Sequence, residues 1–176
     1  IHCGWDNYSN EFYNSLAKFS AKHKIPVLTD GSCDFRFANF GFANVFTNHS
    51  SYLNYLSEEP DLIIQIGNAP TSKQMLDFIS NSSSERYLIN KYGDIKDPSP
   101  QKGELIITDP QKLLTDLSKY LNSRKWIKWN KYLSDIEKIS ENEKVAIDDS
   151  KFGLEPGIIN LLLITCLGFE VFKTEI

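Results

Sequence analysis

The sequence predicts an α/β fold with a mostly parallel sheet and helices on both faces. Short apolar runs that stop at glycine or asparagine, such as "DLIIQIG" at residues 61–67, alternate with segments whose apolar residues recur at helical spacing. These runs also lack polar alternation, which is typical of parallel strands buried on both faces. The two observations together indicate a Rossmann-like domain of three layers, whose ligands would bind at the carboxyl ends of the strands.

The first elements follow from local patterns. "IHCG" resembles the end of a strand that runs into a turn. Ser9 can cap a helix that ends near His23, because apolar residues follow it at helical spacing, at Phe12, Leu16 and Phe19. Residues 27–29 then form a short buried strand.

The next segment is predicted to begin with a loop. Residues 30–47 contain two glycines and several aromatic residues without a helical period, which predicts a long loop. A helix is predicted over roughly residues 50–56, and Pro60 ends it.

The strand at 61–67 is followed by a helix-start signal. Thr71 to Gln74 fits a capping box, in which the Thr71 hydroxyl accepts from the Gln74 amide and the Gln74 side chain bonds back. The helix therefore begins at Lys73. Met75, Leu76 and Ile79 give it a side that faces the core.

The remaining elements complete the alternation. "RYLIN" and "ELIIT" are predicted strands, separated by a segment rich in glycine and proline. Pro110 opens a helix with leucines at helical spacing. A further helix carries one apolar stripe, formed by Trp126, Trp129, Leu133 and Ile136. An apolar helix over 156–167 and a strand over 169–172 are predicted at the end.

Composition narrows the classes of function. The chain has 176 residues, 41% of them hydrophobic, which suits one domain with a single core. A net charge of −4 without a basic stripe argues against a nucleic-acid partner. The longest apolar run, at 158–167, is too short to span a membrane. Cys3, Cys33 and Cys166 show no metal-ligand spacing, and we expect a reducing, cytoplasmic setting.

Several candidate sites are rejected on their spacing. "CGWDNYSN" lacks the glycines of a dinucleotide-binding turn. His2, His23 and His49 have no zinc spacing and no triad order, so we interpret them as surface or packing residues. Cys33 has no identifiable base.

Asp30 and Asp34 follow the strand at 27–29, so two roles are open to them. They could act as carboxylates at the strand end. We favour the alternative that they hold the loop through Asx turns.

Lys73 is the best-placed candidate for binding a ligand. It lies in the first turn of a helix that follows a buried strand, where free backbone N–H groups and the helix dipole favour an anion. The dipole disfavours a cation there, so the lysine suggests an anionic partner. A solvated surface lysine is the alternative that the residues alone leave open.

Three segments in order carry a family resemblance: "IPVLTD" at 25–30, "DLIIQIGNAPTSKQMLDFI" at 61–79 and "YLINKYGDIKDPSPQKGELIITDPQKLL" at 87–114. Together they resemble the central domain of the MenD family, the thiamine-diphosphate-dependent synthases of menaquinone biosynthesis. The most specific parts are the turn that leads to Lys73 and the run Asp97-Pro98-Ser99. The resemblance covers roughly residues 1–125.

The resemblance implies the central domain of a thiamine-diphosphate-dependent transferase, a carboligase. Such an enzyme decarboxylates 2-oxoglutarate and adds the product to isochorismate. Thiamine diphosphate and Mg²⁺ would be bound by flanking pyrimidine- and diphosphate-binding domains, and the intact enzyme would form a homo-oligomer. The segment "YGDIK" has Ile95 where the family's metal motif has its second glycine. We therefore expect no cofactor, metal or catalytic residue in this chain, and no activity of the fragment alone.

The resemblance also names the substrate-binding residues. Lys73 matches a family lysine that helps to hold a substrate carboxylate, and Ser72 and Gln74 lie beside it. Some family members have arginine at the position of Gln74. A neutral amide can hydrogen-bond a carboxylate but adds no charge, and the capping box would give Gln74 a purely structural role.

Two alternatives remain open at the level of sequence. One is a free-standing module of the same fold that binds a nucleotide or a small anion. The other is an architectural domain whose Trp126 and Trp129 helix docks on a partner. We expect a central domain over 1–140, lacking its first residues, and an extension or the start of a next domain over 141–176.

Overall fold

The computed structural model describes residues 1–38, 44–93, 97, 103–121 and 125–149, the last seven without their side chains. The chain divides into two compact units, Ile1–Glu137 and Lys138–Ile176. The helix and strand expected over 156–172 lie outside the described residues. The expected boundary at residue 140 stays a prediction.

The described residues form six strands and four α-helices. The strands are β1 (His2–Cys3), β2 (Val27–Thr29), β3 (Val45–Phe46), β4 (Leu62–Ile66), β5 (Glu85–Asn90) and β6 (Glu104–Ile107). The helices are α1 (Asn10–His23), α2 (Lys73–Asn81), α3 (Pro110–Tyr120) and α4 (Ile127–Asp149). None of these helices is both long enough and apolar enough to cross a membrane.

The six strands form one parallel sheet in the order β3-β2-β1-β4-β5-β6. The chain builds the sheet outward from β1 to one edge, and then from β4 to the other. His2 lies opposite Leu28 on one side and Gln65 on the other. The predicted α/β class with a parallel sheet is confirmed, and this strand order is that of the Rossmann fold.

Helices α1 and α3 cover one face of the sheet. A single buried cluster joins them to alternate strand residues, including Cys3, Val27, Ile66 and Ile89. Leu16 of α1 and Leu114 of α3 belong to the same cluster. The helical spacings predicted Leu16 and Leu114, and the apolar runs predicted the buried strands that carry Val27 and Ile66.

Helices α2 and α4 cover the other face. Met75 and Ile79 of α2 pack with Ile63, while Leu133 of α4 packs with Phe46 and Tyr52. Since helices lie on both faces, the three-layer prediction is confirmed.

Three of the four residues in the stripe on α4 pack inside its own unit. Trp129 and Ile136 lie against the cluster that contains Phe46 and Leu133, and the ring of Trp129 stacks on Tyr132. The fourth, Trp126, is 37% exposed, and the expectation that the stripe docks on a partner stays a prediction.

Two expectations for residues 30–56 are wrong. The loop at 30–47 contains a turn of 3-10 helix (Asp34–Arg36) and the edge strand β3. The helix predicted over 50–56 is two short 3-10 turns, His49–Ser51 and Leu53–Tyr55. Tyr52 separates them because its φ of −130° leaves the helical region.

Glu137 of α4 holds this irregular segment in place. Its carboxylate accepts hydrogen bonds from the backbone N–H groups of Thr47 and Asn48, at 2.7 and 2.8 Å, and from the Tyr52 hydroxyl at 2.6 Å. The side chain is buried. Three donors on one buried carboxylate fix a segment that has no regular structure of its own.

Removing one of these donors tests the role of Glu137. Tyr52→Phe deletes the buried hydroxyl and keeps the ring, so we expect the free energy of unfolding to fall by about 2 kcal/mol. Urea denaturation measures the change. Tyr55→Phe is the matched control, because Tyr55 is 85% exposed, and it should change stability by less than about 0.5 kcal/mol. Equal effects of the two substitutions would contradict the role assigned to Glu137.

Candidate functional site

The carboxyl ends of the central strands meet at one edge of the sheet. Thr29, Cys3 and Ile66 are register partners across β2, β1 and β4. The residues that follow them, Asp30, Gly4 and Gly67, therefore begin three neighbouring loops. Helix α2 starts from the last of these loops, so its N-terminus lies at this edge.

Ser72, and not Thr71, is the N-cap of α2. The Ser72 hydroxyl accepts from the Met75 backbone N–H at 3.1 Å. Helix α2 begins at Lys73 as predicted, but the capping residue is one position later than the capping box placed it. The third helical residue is then Met75, so Gln74 does not make the return bond of a capping box.

The three sequence-predicted substrate-binding residues lie together at this N-terminus. Lys73 and Gln74 are exposed, and Ser72 is half-buried. The Ser72 hydroxyl also accepts from Ser50 at 3.2 Å and donates to the Gln74 side-chain oxygen at 3.5 Å. The Lys73 ammonium makes no ion pair within the described part of the chain, so its charge faces solvent.

Asp30 ties the loop before α2 to the sheet. Its Oδ2 accepts a hydrogen bond from the Thr71 backbone N–H at 2.8 Å. The side chain is buried, with the residue only 2% exposed. The expectation of an Asx turn is therefore wrong for Asp30: the carboxylate bonds a loop 41 residues away instead of its own.

Two histidines complete the surroundings of Asp30. His2 Nε2 lies 3.5 Å from Oδ2, and His49 Nε2 lies 3.8 Å from Oδ1. Both residues are at most 2% exposed. They were expected to be surface or packing residues, and they are buried as the packing interpretation requires. Sequence reasoning missed that they converge on one carboxylate.

Burial and these contacts set the charge states. Burial alone would raise the pKa of Asp30, but the two nearby imidazoles and the hydrogen bond from the Thr71 amide outweigh it, so the pKa lies well below its usual range. Burial lowers the pKa of His2, and the nearby Asp30 carboxylate offsets this only partly. His2 also lines a mostly apolar cavity of about 50 Å³, next to Leu28 and Met75.

The loops after β1 and β4 fill the crevice where the strand order reverses. Asn68 donates to the Trp5 carbonyl from its backbone at 3.1 Å and from its side chain at 2.9 Å. A Cβ at Gly4 would lie 2.1 Å from the Asn68 carbonyl oxygen, and one at Gly67 would lie 2.5 Å from the Tyr8 hydroxyl. The glycines are needed for this close approach.

Cys33 and Asp34 are the remaining candidates from the sequence. Cys33 is fully buried, with its sulfur 3.7 Å from that of Cys3. The contact with Cys33 and burial raise the pKa of the Cys3 thiol. Asp34 is exposed at the start of a 3-10 turn. No group of three His, Cys, Asp or Glu residues in the described ranges is arranged to hold a metal ion.

Comparison with known proteins finds relatives of one name over most of this chain. No family model matches the chain. Three curated proteins do, each named 2-succinyl-5-enolpyruvyl-6-hydroxy-3-cyclohexene-1-carboxylate synthase, or MenD. The protein of Haloquadratum walsbyi is 26% identical over 136 residues, which cover 69% of this chain and 22% of the relative.

The other two relatives cover more of the chain. The protein of Crocosphaera subtropica is 29% identical over 159 residues, 82% of this chain and 26% of the relative. The protein of Bacillus cytotoxicus is 26% identical over 156 residues, 84% of this chain and 26% of the relative. The chain is a MenD-like domain. It spans about a quarter of the length of the curated relatives that it matches.

The aspartate of the run Asp97-Pro98-Ser99 has a structural role in this MenD-like domain. The buried Arg86 guanidinium donates to the Asp97 carboxylate and to the Gln65 side-chain oxygen. The Gln65 amide donates to Asp97 as well, at 3.3 Å. These bonds fix Asp97 to the face of the sheet that carries α2. The other two residues of the run lie outside the described residues.

The N-cap assignment in the MenD-like domain can be tested by a matched pair of substitutions. Ser72→Ala removes the oxygen that accepts from Met75, so we expect a loss of about 1 kcal/mol in the free energy of unfolding. Thr71→Ala removes an exposed hydroxyl and should change it by less than about 0.5 kcal/mol. Urea denaturation compares the two, and a larger loss for the threonine variant would restore the cap that the sequence predicts.

The buried His2 and Asp30 predict how stability depends on pH. A histidine with a lowered pKa binds fewer protons folded than unfolded, so the free energy of unfolding falls as pH drops below 6.5. The depressed pKa of Asp30 stabilises the fold above pH 3.8, and that contribution is lost only below this value.

The substitution His2→Gln separates these two groups. Between pH 6.5 and 4.5 we expect it to flatten the pH dependence of unfolding by up to about 1.4 kcal/mol per pH unit. Urea denaturation of both proteins at each pH lets contributions from other groups cancel. Parallel curves for wild type and variant would show that His2 does not change its proton binding on folding.

Proposed function

We propose that this chain is the central domain of a thiamine-diphosphate-dependent synthase of menaquinone biosynthesis. The intact enzyme would decarboxylate 2-oxoglutarate and add the product to isochorismate. The observation that carries the proposal is the match to three synthases of one name over 69–84% of the chain. Since the chain spans about a quarter of those proteins, we propose that it borders the active site and does not catalyse the reaction alone.

The cofactors belong to other parts of the enzyme in this proposal. Thiamine diphosphate, when bound, supplies the electron sink for decarboxylation. Among the described residues, the buried Asp30 faces His2 and His49 and Asp97 is paired with Arg86, and no group of three His, Cys, Asp or Glu residues there is arranged for Mg²⁺. Flanking pyrimidine- and diphosphate-binding domains would hold both groups, in a homo-oligomer that works in the cytoplasm.

Lys73 is the residue that we propose to contact substrate. Its ammonium stands at the N-terminus of α2, where the helix dipole makes a cation unfavourable by roughly 0.3–1 kcal/mol. A substrate carboxylate would remove this penalty, because it is attracted by both the ammonium and the dipole.

Gln74 and Ser72 are proposed as neighbours of the same carboxylate. Because Gln74 makes no capping bond to the backbone, its side-chain amide is available to donate a neutral hydrogen bond. Ser72 already uses its hydroxyl for Met75, Ser50 and Gln74, so its main contribution is to fix the start of the helix.

The geometry favours neither alternative function. In a dinucleotide-binding fold the pyrophosphate lies at the strand-order reversal, against the turn after the first strand. Here Asn68, Trp5 and Tyr8 occupy that place. In the architectural alternative, Trp129 packs within its own unit, while Trp126 is 37% exposed.

Substitution of Lys73 in the intact synthase tests the proposal. Lys73→Ala removes a charge-assisted contact, so we expect KM for a carboxylate substrate to rise about tenfold. Because the contact is proposed to form in both the ground state and the transition state, kcat should change little. Steady-state kinetics with each substrate varied in turn measures both quantities.

Lys112→Ala is the matched control. Lys112 is also an exposed lysine in the first turn of a helix that follows a strand, but its helix, α3, follows the edge strand β6. We expect its kinetics to equal those of the wild type. An unchanged KM for the Lys73 variant, or equal changes in both variants, would leave Lys73 as an ordinary surface lysine.

A further inference from the structure

We propose that Asp30 is a positioning residue for Lys73. Its buried carboxylate anchors the loop at 67–72 through the Thr71 amide, and this anchor sets where helix α2 presents the lysine. The inference rests on the proposed function, since it concerns the residue that would contact the substrate.

The anchor lies at the end of the 67–72 loop that leads into helix α2. Asn68 is held by the Trp5 carbonyl at the beginning of the loop, and Thr71 is held by Asp30 at its end. Pro70, between them, has no N–H to donate. Thr71 directly precedes the N-cap and stands two residues before Lys73. A change at this point therefore passes to the first turn of α2 without an intervening element.

The Asp30 anchor is part of the buried core of the domain. Asp30 directly follows β2, whose residues pair with β1 and β3 on either side. Its Oδ1 atom faces His49, and its Oδ2 atom faces His2 as well as the Thr71 amide. All three side chains are nearly inaccessible to solvent. A carboxylate confined in this way offers one oxygen at one position, which is what fixing a backbone amide requires.

The second histidine restricts the carboxylate further. The Nδ1 atom of His49 lies 3.3 Å from the Phe46 carbonyl oxygen, which can only accept. This contact holds the ring with Nε2 toward Asp30, 3.8 Å from Oδ1. The ring stands between Phe46 of β3 and Asp30 of the β2 loop, so movement of Asp30 away from Thr71 is resisted from two elements.

A double-mutant cycle in the intact synthase tests whether Asp30 acts through Lys73. The variants are Asp30→Ala, Lys73→Ala and the double substitution. Asp30→Ala should raise KM for the carboxylate substrate about threefold to tenfold. The double variant should have the KM of Lys73→Ala alone, because a misplaced lysine and an absent lysine lose the same contact. If the KM increases of the two single variants multiply in the double variant, Asp30 acts independently of Lys73, and the inference is overturned.

The result is distinguishable from failure of the proposed function. If Lys73→Ala alone leaves KM unchanged, the substrate contact is absent and the positioning claim falls with it. If Lys73→Ala raises KM and Asp30→Ala does not, only the positioning claim falls. Asp34→Ala is the matched control, since Asp34 is an exposed carboxylate of the same loop, and it should resemble the wild type.

Amide hydrogen exchange measures the anchor directly. In Asp30→Ala the Thr71 amide should lose protection, while the Asn68 amide, held by Trp5, should keep most of its protection. Unchanged protection of Thr71 would overturn the inference whatever the kinetics show.

Asp30→Asn covers the case in which the alanine variant does not fold. It keeps an oxygen acceptor of the same reach but loses the charge. Both its KM and the exchange rate of its Thr71 amide should lie between those of the wild type and those expected for loss of the anchor. Its cycle with Lys73→Ala should also be non-additive, and an additive cycle would overturn the proposal.

Discussion

The pairing of β1 with both β2 and β4 is the constraint on which the rest of the structure depends. This strand has two residues, yet it joins the two halves of a six-stranded sheet. Successive side chains of a strand point to opposite faces, so His2 enters the layer under α2 while Cys3 enters the layer under α1. The same register sets Asp30, Gly4 and Gly67 side by side at the carboxyl edge. One short strand thus decides which buried groups meet and which loops touch.

The charges buried on the α2 face are compensated in two different ways. Asp97 is paired with the Arg86 guanidinium, a cation at every physiological pH. Asp30 instead relies on one backbone N–H and two histidines. Burial of an unpaired carboxylate costs several kcal/mol, and a neutral imidazole compensates less of that cost than a guanidinium does. Because burial lowers the pKa of His2, the fold around Asp30 loses stability as pH falls below the ordinary histidine value.

Most of the fold was predictable because its signals are local. The apolar run of β4, the leucines of α3, the cap at Ser9 and the helix start at Pro110 each depend on a few adjacent residues, and all of them are present in the structure. The helix expected over 50–56 failed for a non-local reason. Glu137, more than eighty residues away, bonds the backbone and the Tyr52 hydroxyl there and favours two 3-10 turns.

The site was predictable to the same extent. The place of Lys73 at the start of a helix was predictable because a strand, a turn and a helix start are adjacent in sequence, and its role in binding stays a prediction. Its Thr71 cap was misplaced by one residue, since both Thr71 and Ser72 are good caps and only the course of the loop chooses between them. Asp30, His2 and His49 were missed as a cluster because their meeting depends on parallel register between strands, which a single sequence does not reveal.

The buried carboxylate also bears on how the N-terminus of α2 can recognise an anion. Asp30 accepts from Thr71 on the core side, and the Ser72 hydroxyl accepts from Met75, so two donors at this helix end are already used. Asp30 in addition supplies a negative charge near this helix end, where the dipole favours one. With the backbone partly satisfied from inside, an anion arriving from solvent gains most from the ammonium itself. If Lys73 binds a substrate carboxylate as proposed, binding would depend on the position of one flexible side chain, and a rigid helix start would limit the positions it can reach.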